Sequence, residues 1–127
     1  MTKATTKYAT PEQAIKCMEL ANSRQKSSAY IDNDDARAYV TTHPELCKVI
    51  VRAQNLMYMA RYKFELSNML GEDGCDDSPH FDKSFTYCMD AAKVRDEAVV
   101  MLHDANDIDR DTYEWLTYTY LYDLATI

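Results

Sequence analysis

Apolar residues recur at helical spacing along two long stretches of the chain, and an acidic turn over residues 71–79 separates them. In the first stretch Leu46, Val49, Ile50, Ala53, Leu56, Met57, Ala60 and Phe64 share one side of a helix. Val51, Tyr58, Tyr62 and Met69 form a second apolar stripe nearly opposite. A helix that is apolar on two faces belongs at the centre of a fold. In the second stretch Phe81, Phe85, Cys88, Ala92, Val99 and Leu102 form a broad apolar arc, widened by Val94, Ala98 and Met101. Asp90, Glu97 and Asp104 occupy its other side, seven residues apart. Near the C-terminus Tyr113, Leu116, Tyr120, Leu124 and Ile127 line up on one face at α-helical spacing, and Trp115, Tyr118 and Tyr122 on the other.

Local punctuation sets the boundaries. Thr10-Pro11-Glu12-Gln13 is a helix start, with threonine as cap and proline in the first turn, and its helix is expected to run to about residue 27. Residues 1–9 are polar and read as a loose tail. Asp32, Asn33, Asp34 and Asp35 offer caps for a short helix through Val40. Thr42-His43-Pro44-Glu45 reads as a capping box that opens a long helix lasting to Gly71. Ser78-Pro79 opens the next, to about Ala105, and Asp109 or a neighbour caps a last helix over residues 110–126. The two long helices span roughly 40 Å each and, with a short turn between them, must lie antiparallel. The pattern predicts a single all-α domain over residues 1–127. Its architecture is an elongated up-and-down bundle of four main helices around a long hairpin at residues 43–105. No alternating strand-like run and no internal repeat interrupts it.

Composition agrees with a folded chain, since 46% of residues are hydrophobic and only 28% charged. Cys17, Cys47, Cys75 and Cys88 lack the close spacing of a zinc or redox site and read as reduced, which suits a cytoplasmic protein. No segment approaches the ~18 apolar residues of a membrane span. The formal net charge of -7 is divided unevenly. Residues 1–70 hold ten Lys/Arg and seven Asp/Glu, a balance of +3; residues 71–127 hold four and fourteen, a balance of -10. Direct nucleic-acid binding is disfavoured, because phosphate contacts need clustered cations.

Catalytic and metal motifs fall short. His103-Asp104 is the dipeptide of metal-dependent phosphohydrolases, with His80 and Asp123 as the available completions, but only 24 residues follow His103. Asp107, Asp109 and Asp111 alternate like the opening of a calcium loop, yet Thr112 stands where glycine belongs and Tyr118 where the bidentate glutamate belongs. No cofactor, metal or catalytic residue is assigned. Arg95 and His103 point toward the apolar arc; Arg95 is expected to snorkel or to pair with a carboxylate on a neighbouring helix, and His103 to satisfy a helix end.

What remains is a surface. Asp90, Glu97, Asp104, Asp107, Asp109 and Asp111 form an extended acidic strip, and Trp115, Tyr118 and Tyr122 an aromatic row of the kind that anchors interfaces. These nine residues are the candidate partner-binding site. The leading expectation is a non-enzymatic protein that binds and inhibits or modulates a partner with a basic surface, such as a nucleic-acid-binding protein, by mimicking nucleic acid or blocking a basic site. The chain resembles small acidic helical inhibitors among viral and phage accessory proteins in size and composition alone. The alternative is a structural protein that assembles into a homo-oligomer, and a small metal-dependent helical hydrolase ranks third.

Overall fold

The computed structural model describes residues 29–75 and 77–126, together with Glu12. The tail at residues 1–9 and the expected first helix over 10–27 lie outside the described residues, Glu12 excepted, as does Ile127. Among the described residues the chain is an all-α bundle with no strand, and no helix is long and apolar enough to cross a membrane.

Helix α1, Asp34–Thr41, starts where Asn33 accepts the Ala36 N–H through its side chain at 3.0 Å. Helix α2, Pro44–Met69, follows after a two-residue corner and helix α3, Pro79–Asp104, returns beside it; each has 26 residues. Proline stands in the first turn of both, where its missing N–H costs nothing. The expected capping box at Thr42 does not form: His43 is the cap residue and makes no side-chain cap bond. The Thr42 hydroxyl instead donates back to the Tyr39 carbonyl at 2.9 Å, because the end of α1 is closer than the start of α2.

The hairpin turn is built from local chemistry. Gly71 takes a left-handed φ of 75°, which lets its N–H reach the Asn68 carbonyl and the Glu72 N–H reach the Ser67 carbonyl. The Glu72 carboxylate then crosses the turn and accepts the His80 and Phe81 N–H groups, both at 2.9 Å. An acid there satisfies two free donors and meets the positive end of the α3 dipole. Ser78, the expected cap of α3, makes no side-chain cap bond to the helix and receives the Gly74 N–H instead. A side chain on Gly74 would place its Cβ 3.0 Å from the Phe81 ring, at a backbone φ of 80°.

Burial in α2 follows the first stripe, with Leu46, Ile50, Ala53, Met57 and Ala60 all buried. In α3 the buried line is Ser84, Ala91, Val94, Ala98 and Leu102, so the arc is rotated from the expected one. Phe85, placed in the arc by sequence, is 62% exposed. Small residues face α2: Ala91 packs with Met57 and Ala60, and a phenylalanine in that row would hold the helices apart. The main core lies at the end away from the turn, where Ile31, Ala36, Val40, Ile50, Leu102, Leu116 and Leu121 meet.

The C-terminal helix is continuous but not uniform. It runs as α4, Arg110–Glu114, then a π-helical segment, Trp115–Tyr120, then α5, Leu121–Leu124. The π turn brings residues five apart together. Leu116 and Leu121 are both fully buried, Trp115 stacks on Tyr120 with centroids 5.6 Å apart, and Tyr113 meets Tyr118 edge-on at 6.3 Å. The Thr117 hydroxyl donates to the Tyr113 carbonyl at 2.7 Å, so a side chain serves an acceptor four residues back.

Candidate functional site

The nine candidate residues do not share one environment. Glu97 pairs with Arg52 of α2 at 3.0 Å, so it ties the hairpin together across its surface. Asp109 caps α4, accepting the Thr112 N–H at 3.2 Å and its hydroxyl at 3.3 Å. Asp107 is held by His43 and Tyr39. Asp90 is half-buried on α3, whereas Asp104 and Asp111 are exposed and make no ion pair among the described residues. The strip is therefore outward-facing chiefly at the corner between α3 and α4.

The aromatic row is divided in the same way. Tyr118 and Tyr122 are 67% and 70% exposed. Trp115 is not their neighbour on a common face: the π segment turns it onto Tyr120, where it is half-buried against the main core. Projection at α-helical spacing placed Tyr120 with the core residues and Trp115 opposite, and the wider turn undoes that separation.

At the α1–α2 corner, Asp107 accepts the Tyr39 hydroxyl at 2.7 Å and His43 Nε2 at 2.6 Å. His43 Nδ1 lies 2.6 Å from the Tyr39 carbonyl, and the two rings stack at 3.8 Å. A carboxylate and a carbonyl only accept, so the arrangement favours the imidazolium form of His43, in which both ring nitrogens donate. The hydrogen bond to Asp107, then the one to the Tyr39 carbonyl, raises the His43 pKa above 6.5. The same bond, with that from Tyr39, lowers Asp107 below 3.8. Burial first, then the Asp107 bond, pushes Tyr39 up to about 12. This cluster lines a shallow cavity of about 410 Å³ with Glu45, Met101 and Asp104. It is a clip between two chain segments. The Thr42 hydroxyl beside it donates to the Ala38 and Tyr39 carbonyls and lies 3.1 Å from His43 Nδ1.

Metal chemistry finds no constellation. Asp107 and Asp109 are both engaged, which leaves Asp111 alone of the alternating trio, and no group of three metal-binding side chains exists among the described residues. His80 and His103 sit at opposite ends of α3, roughly 35 Å apart along the axis, and cannot share an ion. Arg95 donates to the Leu121 carbonyl at 3.0 Å and to Asp96 at 2.8 Å, so its carboxylate partner is on its own helix rather than a neighbouring one. Cys47, Cys75 and Cys88 are free thiols.

A second concavity of about 780 Å³ opens between α2, the C-terminal helix and residues 29–32. Its walls include Tyr30, Gln54, Tyr58, Trp115 and Tyr120. Of these only Trp115 stood among the candidate residues. The paired stripes of α2 hinted at Tyr58, but no sequence signal joins Tyr30 to it. The Tyr120 hydroxyl is buried without a hydrogen-bond partner, and burial pushes its pKa up to about 12. No family model, curated protein or solved structure matches the chain.

Proposed function

We propose that this protein is a non-enzymatic binding module that engages a macromolecular partner with a basic surface and blocks that surface. The observation that supports this reading most is the corner between α3 and α4. Asp104 and Asp111 stand exposed there and make no ion pair among the described residues, and Tyr118, on the helix that α4 begins, is 67% exposed. Acidic groups around aromatic anchors suit a positively charged partner, with charge setting encounter and the rings supplying contact area. The -10 balance of residues 71–127 extends the same field over this half of the chain.

The test is a partner captured from the native host and measured against variants. Asp104→Ser with Asp111→Ser and Tyr118→Ser is expected to weaken binding at least ~tenfold, most at low salt, and to leave the melting temperature nearly unchanged. Binding that survives the triple change overturns the reading.

A second reading, assembly with further copies of the chain, is favoured by one observation. Phe85, Met89 and Val100 are 62%, 48% and 58% exposed on one stripe of α3. Self-association through them predicts a concentration-dependent mass in sedimentation equilibrium that Phe85→Ser abolishes; a monomer at every concentration removes this reading.

A further inference from the structure

The groove beside the C-terminal helix has a composition unlike the rest of the surface. Four aromatic side chains, Tyr30, Tyr58, Trp115 and Tyr120, line it, and Asp32 and Asp123 lie on its walls. Each wall comes from a different element. Tyr58 is on α2, Trp115 and Tyr120 are on the π segment, Asp123 is on α5, and Tyr30 and Asp32 precede α1.

Two features shape the groove: one tyrosine stands out at its rim, and two half-buried rings form its floor. Tyr30 leaves 79% of its surface exposed, yet its backbone is fixed, donating its N–H to Gln54 Oε1 at 2.8 Å. Trp115 and Tyr120 lie nearly parallel, 16° apart, so their stack is a flat slab. That slab exists because of the π turn. A regular helix would carry the two rings to different faces.

Aromatic faces are electron-rich and attract cations, and carboxylates nearby add to that attraction. The native cation in the lining, Arg61, is engaged elsewhere, donating to the Thr126 carbonyl at 3.2 Å. An apolar ligand would meet the rings but leave the exposed carboxylates of Asp32 and Asp123 to solvent. A planar guanidinium satisfies both requirements at once, stacking on rings while its edges donate to carboxylates.

We infer that this groove binds an arginine side chain carried by an extended segment of a basic partner. The inference rests on the proposed function for the nature of the partner, and adds where its cation is seated. The acidic corner steers and the groove reads.

The chain has a single tryptophan, so the emission of Trp115 reports on the groove directly. The probe is a five-residue Ala-Arg-Ala-Arg-Ala peptide with blocked ends, compared with the same peptide carrying citrulline, which keeps the shape and removes the charge. The arginine peptide is expected to change Trp115 emission saturably and to bind at least ~tenfold more tightly than the citrulline peptide. Tyr30→Ser with Asp123→Asn, both at exposed positions, should weaken it at least ~fivefold with helicity unchanged. Asp104→Asn, outside the groove, should leave the saturating Trp115 signal in place. Equal binding of the citrulline peptide, no saturable signal, or indifference to the double change overturns the inference. Loss of partner capture on changing Asp104, Asp111 and Tyr118, with the groove variant fully active, would refute the groove and leave the proposed function standing.

Discussion

His43 and Asp107 carry the most definite chemistry in the molecule, because every polar atom of the imidazole has a partner. The consequence is a pH dependence whose sign follows from the two shifts. His43 titrates above its ordinary 6.5, so its contribution to stability is complete below pH 6.5 and is lost as the pH rises through the raised value. Asp107 titrates below 3.8, so its contribution is present above pH 3.8 and is lost as the pH falls through the lowered value. Between those limits the clip is whole. The melting temperature of the wild type, taken relative to His43→Gln, is therefore expected to decline as the pH rises above 6.5. Asp107→Asn should return the NMR-measured pKa of His43 toward 6.5; an unmoved value would show that the bond does not form in solution. None of this was legible locally. His43 stood beside Pro44 as part of a supposed cap, and Asp107 stood in the supposed partner-binding strip, 64 residues further on. Spacing arguments see neighbours within a helical turn, and this pair is made by the fold.

The C-terminal helix shows what an element can conceal. Its existence and its cap, Asp109, follow from the sequence. Its inner face does not, because the face depends on the period. At 3.6 residues per turn Leu116, Tyr120 and Leu124 align; with a π segment inserted, Leu116 pairs with Leu121 instead. Leu121 is fully buried and Leu124 only partly so. Leu121→Ala is therefore expected to cost about 2–5 kcal/mol in urea unfolding, and Leu124→Ala about 1 kcal/mol or less. The reverse order would mean that the helix is regular in solution. A competition of packing decides the matter: Leu116 and Leu121 both join the core formed by Ile50, Ala98 and Leu102, and the backbone accepts a wider turn to seat them. The same turn turns Trp115 from the supposed row with Tyr118 and Tyr122 into the slab with Tyr120.

Across the whole molecule the charge division has an internal use as well as an external one. The hairpin sets α2 against α3, and Arg52–Glu97 and His43–Asp107 each join a residue of the +3 part to one of the -10 part. Exposed pairs of this kind contribute little to stability, so the hairpin is held by its apolar contacts, and the pairs select its alignment. The loop acids likewise serve the fold, with Glu72 on the α3 N-terminus and Asp73 on the Cys75 N–H. Of the six acidic candidates, Asp104 and Asp111 at the α3–α4 corner are the exposed ones with neither an ion pair nor a capping role among the described residues, which is why the binding test belongs there. The sequence alone determined that the chain is helical, that two long helices form a hairpin, and that they begin at Pro44 and Pro79. Those features depend on proline, glycine and periodicity acting within a turn or two. Only the tertiary structure decided the rotation that exposes Phe85, the π turn that pairs Trp115 with Tyr120, and the clip joining His43 to Asp107. Each of these is settled by which distant surface an element must fit, and local preference carries no information about that surface.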